Sequence, residues 1–245
     1  MNDIRVGTLL SGAKPVGQGI NGALRGFALV DEDEIQVIVK RLPERELLCE
    51  LLCAQIGRDL GLPIPEPILL FDEISHPLFG SADVGYPNLL HFLEKDLESE
   101  IIVSKLRKWI YIESASFFDE LIFNADRHPG NLLFDGNEFY LIDHGLTLHE
   151  SYGPEAPPEI WCNRLMSLLV DSCDSDSDKS KICNKASAWI DDLAERDVIG
   201  ASIKKTPGDQ DKIQTLSDFL SIRKKLLLSM INHRVGASQT DFINA

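Results

Sequence analysis

The pattern of hydrophobic and polar positions begins with short, β-branched runs that are typical of strands. The run 3–10 predicts a first strand, and 24–30 predicts a second. Between them lies the glycine-rich stretch 11–22, so the two strands are expected to form a hairpin with a flexible tip. The acidic turn 31–34 leads into a third strand, 35–42, which ends in basic residues.

The pattern then changes from strand to helix between Pro43 and Gly61. Leucines and cysteines recur there at three- and four-residue spacing, which predicts one amphipathic helix. The proline-rich segment 63–67 predicts an extended exit from this helix. A strand is expected at 68–71, and a further strand at 87–95 would join the two parts of the chain.

The pattern of the rest of the chain, from about residue 100, predicts mainly helices with one small hairpin in the middle. Aromatic and aliphatic residues share one face of a predicted helix over 104–124. The hairpin has strands at 132–134 and 139–145, joined by an Asp-Gly-Asn turn. The acidic run 174–178 is expected to be a solvated loop. Three more helices are predicted in the tail, at 159–172, 179–197 and 211–234.

Composition and charge narrow the classes of function. The chain has 245 residues, 39 acidic and 24 basic side chains and a net charge of -15. Such a charge repels nucleic-acid phosphates and anionic lipid surfaces, so direct binding to nucleic acid or to a membrane is not expected. The chain has neither a secretory leader pattern nor an apolar run of about 18 residues, and a cytoplasmic location is therefore expected.

The five cysteines indicate free thiols. They are odd in number and lack the paired spacing of a zinc site. Cys49 and Cys53 are four residues apart on the predicted helix, which places them on one inward face. We therefore expect buried thiols with no disulfide framework.

Gly17, Gly19 and Gly22 match the pattern G-x-G-x-x-G. A helix follows this pattern in dinucleotide-binding units, whereas a predicted strand follows it here, as in the hairpin that covers the phosphates in kinases. Glycines let backbone N–H groups approach phosphate oxygens because no Cβ intervenes. Ser11 and Gly12 begin a second candidate for the phosphate-contacting segment, and the sequence leaves this choice open.

Lys40 ends the third predicted strand in the run VIVK. It is placed like the lysine of V-A-I-K, whose ammonium contacts the α- and β-phosphates and is oriented by a helix glutamate. Glu46 and Glu50 both lie on the following helix. Glu50 is favoured because it lies among inward-facing residues, where an unpaired carboxylate would be costly, and Glu46 is the alternative.

The strongest signal is the order of Asp126, Asn131 and Asp143. The first two are five residues apart, like the aspartate and asparagine of H-R-D-L-x-x-x-N, and Asp143 follows an apolar strand as the D-F-G aspartate does. Phosphoryl transfer needs a carboxylate to accept the hydroxyl proton and oxygen ligands that hold Mg²⁺ on the phosphates. Asp126 is therefore the predicted base, and Asn131 and Asp143 are the predicted magnesium ligands.

The neighbours of these residues are expected to have supporting roles. Arg127 could steady the loop or neutralise phosphate, and His128 is expected to fix the loop geometry. Asp119 precedes the loop by two helical turns and is expected to brace it through hydrogen bonds.

Together the motifs predict an α+β chain with a bilobal, protein-kinase-like fold. The predicted N-lobe, 1–95, is β-rich and holds the glycine-rich loop, the strand lysine and the glutamate helix. The predicted C-lobe, 96–245, is mainly helical and holds the catalytic loop and the metal-binding aspartate. ATP and Mg²⁺ are the expected cofactors.

Over residues 6–150 the chain resembles the HipA-like kinases, atypical protein kinases distantly related to phosphoinositide kinases. The resemblance rests on FDELIFNADRHPGNLLF, YLIDHG and ELLCAQIGRDLGLPIPEP, and on the order D-R-H-x-x-N in place of H-R-D. It implies a two-lobed kinase fold that uses ATP and magnesium, with Asp126, Asn131 and Asp143 in the roles given above. His144 stands where D-F-G has phenylalanine.

The resemblance also implies partners. HipA, after which the family is called, phosphorylates a serine of a protein target and acts as a bacterial toxin with a DNA-binding antitoxin. A protein substrate and an antitoxin-like or other regulatory partner are thus what the resemblance implies.

Four functions compete at this point. A serine/threonine protein kinase is the leading hypothesis, and a small-molecule or phosphoinositide-type kinase is the first alternative. The net negative charge of the chain disfavours a lipid substrate, because peripheral lipid kinases use basic surfaces. A nucleotide-binding regulatory module without phosphotransfer, a pseudokinase, comes from a different class, and nucleotidyl transfer is the fourth.

Overall fold

A computed structural model of the protein describes residues 3–16, 22–93 and 96–236. Six strands lie within the first 82 residues. They are β1 (Arg5–Leu9), β2 (Lys14–Pro15), β3 (Leu24–Val30), β4 (Asp33–Lys40), β5 (Pro67–Phe71) and β6 (Pro77–Ala82). The order along the sheet is β1-β5-β6-β4-β3-β2, and β1 also pairs with β3. Five strands therefore close into a barrel, with the short β2 added outside on β3.

The barrel is closed by two pairings of β1. It runs parallel to β5 and antiparallel to β3, with Gly7 opposite Val30. A Cβ built on Gly7 would lie 2.6 Å from the carbonyl oxygen of Leu29, so only glycine allows this close pairing. Alternate side chains of the strands fill the interior, namely Ala28, Val30, Val37, Val39, Ile68, Leu70 and Leu78.

Helix α1 (Glu44–Asp59) packs between the barrel and the helical part of the chain. Leu47 and Leu51 lie against the outer face of the barrel with Leu69 and Phe79. The other face of α1 belongs to a second and larger core, to which it contributes Leu48, Cys49, Leu52, Cys53 and Ile56. The helix is thus buried on two sides.

The remainder of the described chain is helical except for one hairpin. Its helices are α2 (Leu90–Leu93), α3 (Asp96–Arg107), α4 (Ile112–Leu121), α5 (Arg164–Val170), α6 (Asp176–Glu195), α7 (Val198–Lys205) and α8 (Gln210–Val235). The hairpin consists of β7 (Leu132–Phe134) and β8 (Phe139–Leu141), which pair antiparallel. Two 3-10 turns, Pro129–Asn131 and Pro158–Ile160, complete the secondary structure.

Several predicted elements differ from the structure. The strand expected at 87–95 is an isolated bridge from Asn88 to Leu133 followed by α2. The helix expected over 104–124 is divided between α3 and α4 by a turn. The acidic run 174–178 is not a loop throughout, because the Ser175 side chain accepts a hydrogen bond from the backbone N–H of Asp178 and caps α6.

The fold class is confirmed at the level of mixed helices and strands. The order of a β-rich part with one helix followed by a mainly helical part also agrees with the sequence. The two-lobed arrangement and the boundary at 95/96 stay predictions, since α1 belongs to the cores on both of its sides. Over the described ranges, no helix has the length and apolar character needed to cross a membrane.

Candidate active site

Lys40 lies between two carboxylates at the end of β4. Its Nζ is 2.9 Å from Glu50 Oε1 and 2.9 Å from Asp143 Oδ1. Of the two glutamates considered from the sequence, Glu50 is therefore the one that contacts Lys40. The side chains of Lys40 and Glu50 are 10% and 1% exposed, whereas that of Asp143 is 21% exposed. Strand β4, helix α1 and the segment after β8 thus meet at one cation.

Both members of the Lys40–Glu50 pair are held in their charged forms. Burial by itself would lower the pKa of Lys40, but the charges of Glu50 and Asp143 outweigh it and raise that pKa. Burial would likewise raise the pKa of Glu50. The Lys40 ammonium and the hydrogen bonds from His144 reverse this effect and lower the pKa of Glu50 to about 2. The cluster therefore carries one ammonium and at least one carboxylate at neutral pH.

The backbone turns sharply at Asp143. This residue has φ +63°, in the left-handed region that aspartate tolerates better than most residues. The turn lets the backbone N–H of His144 donate to Glu50 Oε2 at 2.8 Å. The His144 ring is buried and lies edge-on to Phe118, with 5.9 Å between ring centroids. His144, which stands where D-F-G has phenylalanine, therefore packs against an aromatic ring on one side while its Nδ1 lies 3.7 Å from Glu50 Oε2.

Arg127 fixes the loop that holds Asp126 and Asn131. Its guanidinium makes two 2.9 Å bonds to the Asp119 carboxylate. It also donates to the carbonyl oxygens of Asn131, at 2.9 Å, and Ile142, at 2.7 Å. Arg127 is 1% exposed, so it is not free to neutralise a phosphate. The bracing contacts expected of Asp119 are present, and Arg127 steadies the loop.

Asn131 and Asp126 are brought together at the two ends of this loop. The Asn131 Nδ2 donates to the Asp126 carbonyl oxygen at 2.9 Å and lies 3.5 Å from its carboxylate oxygen Oδ2. Because the amide nitrogen is used, the amide oxygen is the atom left to bind a cation. Asp126 itself is half-buried.

The residues present fit a hard cation such as Mg²⁺. Asn131 and Asp143 offer oxygen atoms, and Mg²⁺ is normally bound by one or two protein ligands together with water and substrate phosphates. Among the described residues no group of three or more His, Cys, Asp or Glu side chains could hold a metal by itself. An ion held by Asn131 and Asp143 would take its other ligands from water and from substrate phosphates.

His128 has the structural role expected of it. Its Nδ1 accepts a hydrogen bond from the backbone N–H of Gly130 at 3.0 Å and caps the 3-10 turn that ends at Asn131. A Cβ on Gly130 would lie 2.6 Å from the His128 ring, so this turn needs glycine.

Only some of the residues predicted to contact phosphate lie in the described part of the chain. Gly17 and Gly19 lie outside the described residues, and Gly22 has φ +59° just before β3. Ser11 and Gly12 form the exposed turn between β1 and β2. They line a pocket with residues of the β5–β6 turn, and the described lining of that pocket includes neither Lys40, Glu50 nor Asp143. A role for these residues in binding phosphate stays a prediction.

Arg45 is a further residue near the site that was not among the residues predicted from the sequence. This residue, in the first turn of α1, donates to Glu150 Oε1 at 2.9 Å, to the Thr147 carbonyl oxygen at 3.2 Å and to the Leu148 carbonyl oxygen. It ties α1 to the segment that follows Asp143. No local pattern predicts this contact, since Glu150 is 105 residues away along the chain.

Comparison with known proteins gives a family and a fold. A family model described as "HipA-like kinase" matches residues 16–193. Curated protein sequences give no match. The crystal structure of the Helicobacter pylori proinflammatory kinase CtkA is similar, with a TM-score of 0.60 and 14% identity over 95% of this chain and 97% of that chain. At this identity the likeness shows the fold alone.

A second structure is more distant. An N-terminal 618-residue fragment of LepB from Legionella pneumophila has a TM-score of 0.48 and 13% identity over 84% of this chain and 45% of that chain. A likeness at this level supports no conclusion about fold or chemistry.

Proposed function

The chain belongs to the HipA-like kinase family, and from this premise we propose that it transfers the γ-phosphate of ATP to a serine or threonine hydroxyl of a protein, with Mg²⁺. The observation that carries the proposal is the Lys40 ammonium held between Glu50 and Asp143. A buried lysine oriented by a helix glutamate, next to the aspartate that follows an apolar strand, is the arrangement that positions a nucleotide in kinases.

Each residue has a separate task in the proposed reaction. Lys40 would orient the α- and β-phosphates, and Asn131 and Asp143 would hold the metal ion. When bound, this ion would neutralise negative charge on the phosphates. The acceptor oxygen forms a bond to the γ-phosphorus while the bond from that phosphorus to the bridging oxygen breaks, and ADP leaves with the electron pair. The Asp126 carboxylate accepts the proton of the acceptor hydroxyl.

The proposed base is the residue to test. Asp126→Asn keeps the shape of the side chain and removes the proton acceptor. ATP and Mg²⁺ should still bind, whereas transfer should fall by roughly two to four orders of magnitude. The measurement is calorimetry with MgATP, followed by single-turnover transfer of label from γ-labelled ATP to protein or to water.

Asp174→Asn is the matched control because it removes the same charge from an exposed position. Full transfer by the Asp126 variant with nucleotide bound would exclude Asp126 as the base. A parallel reaction with α-labelled ATP separates the alternatives: incorporation of that label means nucleotidyl transfer. Tight MgATP binding with neither label transferred means a regulatory module.

A further inference from the structure

Two arginines of α8 surround a single buried carboxylate. Arg223 and Glu120 have fully buried side chains, and that of Arg234 is 11% exposed. Arg223 Nη2 lies 3.4 Å from Glu120 Oε1, and Arg234 Nε donates to Glu120 Oε2. Asn163 Nδ2 donates to the same Oε2 at 3.0 Å. Two positive charges thus share one negative charge.

Arg223, the more deeply buried of the two arginines, has a lowered pKa. Burial lowers the pKa of Arg223 to about 10, and the charge of Arg234 adds to this effect while Glu120 opposes it. An arginine normally stays protonated far above that value. Buried charges are usually paired, since an uncompensated one is costly. A second anion beside the arginines would remove the imbalance.

Hydrogen-bond donors in the same region lack acceptors. Within residues 3–16, 22–93 and 96–236, four buried nitrogens there have no hydrogen-bond partner: Nε and Nη1 of Arg223, Nη2 of Arg234 and Nε1 of Trp161. A buried donor without a partner lowers the free energy of unfolding by about 1–3 kcal/mol. A water or an ion bound to each of these donors would remove that cost. These four atoms are donors, so a ligand that satisfies them must be an acceptor. Asn232 Oδ1, also on α8, is a buried acceptor without a partner among the described residues.

Arg234 and Trp161 line an open pocket of about 400 Å³ between the 3-10 turn Pro158–Ile160, α5 and the end of α8. This volume falls within the range of small-molecule sites. The Arg234 guanidinium lies 4.2 Å from the centroid of the Trp161 indole and donates to the Trp161 carbonyl oxygen at 3.2 Å. Two of the three side chains that carry unpaired donors, Arg234 and Trp161, are therefore stacked together in the wall of one pocket.

The acidic residues of the pocket do not supply the missing acceptor. Glu159 is 2.9 Å from His233, and both side chains are more than half exposed. Asp171 is also exposed. The unpaired donor atoms are covered from solvent, so a ligand in the pocket reaches them only when a side chain of the pocket wall moves aside.

We propose that this pocket binds a small oxyanion, either a carboxylate or a phosphate group, through Arg234 and Trp161. The site is separate from the Lys40–Glu50–Asp143 cluster, and it does not depend on the phosphotransfer proposed above. The pocket also lies close to the start of the catalytic loop. The centroid of the Trp161 ring is 4.9 Å from that of Phe123, which directly precedes Asn124 and has φ +52°.

The three tryptophans of the chain provide the test. In protein labelled with ¹⁵N at the indole, each gives one N–H cross-peak, and Trp161→Phe identifies the peak of Trp161. Inorganic phosphate and acetate are titrated separately against sodium chloride at equal ionic strength. We expect the Trp161 peak to move with one oxyanion to saturation, with a Kd of about 1 mM or tighter. The peaks of Trp109 and Trp189 should stay in place.

Saturation by phosphate or by acetate identifies which oxyanion chemistry the site takes. Arg234→Lys keeps the charge and loses the guanidinium donors, so binding should weaken at least tenfold. If Arg234→Lys does not fold, Trp161→Phe replaces it, because this variant keeps an aromatic ring and removes one donor. Calorimetry then compares its affinity for the oxyanion with that of the parent. A Trp161 peak that stays fixed, or that moves equally in chloride, overturns the proposal. So does unchanged binding in the variants.

Discussion

At the scale of single residues, Lys40 has a proposed role and an observed one. It is proposed to orient phosphates, and it neutralises a glutamate whose side chain is 1% exposed. Lys40→Met therefore tests both roles at once, since the exchange would also leave Glu50 as a buried charge without its cation.

We therefore expect Lys40→Met to abolish transfer and to lower the free energy of unfolding by about 3–5 kcal/mol, the usual cost of breaking a buried pair. Adding Glu50→Gln should restore part of the stability but none of the transfer. Urea denaturation and γ-phosphate transfer measure the two effects. Lys108→Met, at an exposed position, is the control and should change neither. Parental stability in Lys40→Met would show that the pair is not buried as described.

Glu50 should also make stability depend on pH. Its pKa is about 2 in the folded protein against an ordinary value of 4.5, so the ionised carboxylate stabilises the fold above pH 4.5. This contribution is lost as the pH falls from 4.5 towards 2. The unfolding free energy of Glu50→Gln should fall less steeply over that interval than that of the parent. Glu73→Gln, at an exposed turn, should follow the parent, and identical slopes in all three proteins would contradict the assignment.

At the scale of elements, short-range patterns predict α1 and the small hairpin correctly but not every local element, and they do not predict the long-range contacts. The leucine spacing predicts α1, and the turn Asp135-Gly136-Asn137 predicts the β7–β8 hairpin, because both depend on near neighbours. The closing of the barrel depends on β1 meeting β5 some 60 residues later. The same limit applies to the site. Spacing predicts Asp126, Asn131 and Asp143 as site residues, but it predicts neither Arg45 nor the pairing of Glu120 with α8.

The burial of α1 on two sides predicts that its two thiols are unreactive in the folded protein. Cys49 and Cys53 are fully buried, and burial raises the pKa of Cys49 to about 11 and that of Cys53 well above its ordinary value. Both should therefore stay unreactive towards a thiol reagent at pH 8 until the protein unfolds, whereas the exposed Cys162 should react at once. Spectroscopic thiol counting with and without urea gives the number of reactive groups.

Cys162→Ser is the control for this measurement, because it should remove the fast phase and leave the buried thiols protected. Rapid reaction of Cys49 or Cys53 in the folded protein would mean that α1 separates from its neighbours under native conditions.

At the scale of the whole molecule, α1 joins the barrel to the helical part. Its residues Leu48, Leu52 and Ile56 lie in the larger core, while Leu47 and Leu51 lie against the barrel. Asp59, at the end of the helix, accepts hydrogen bonds from Ser202 and Lys205 on α7, and so adds a polar contact to the apolar ones.

A fragment of residues 1–95 should consequently fail to fold by itself. It would expose the face of α1 that the larger core covers, and each leucine or isoleucine left uncovered costs about 1.5–3 kcal/mol. Circular dichroism and amide proton dispersion should show an unfolded or aggregated fragment, while the whole chain unfolds in one calorimetric transition. A well-dispersed spectrum from the fragment would show an independent domain with the boundary predicted from the sequence.

Arg127 has a consequence for the thermodynamics of nucleotide binding. Fixing the backbone of one residue costs about 1–2 kcal/mol of conformational entropy. The guanidinium of Arg127 holds the carbonyls of Asn131 and Ile142 by bonds that lie wholly within the chain, so they can form on folding and need no nucleotide. The loop therefore loses its conformational freedom when the chain folds, and not when ATP arrives. Nucleotide binding at this loop should carry only a small entropic penalty from ordering of the chain.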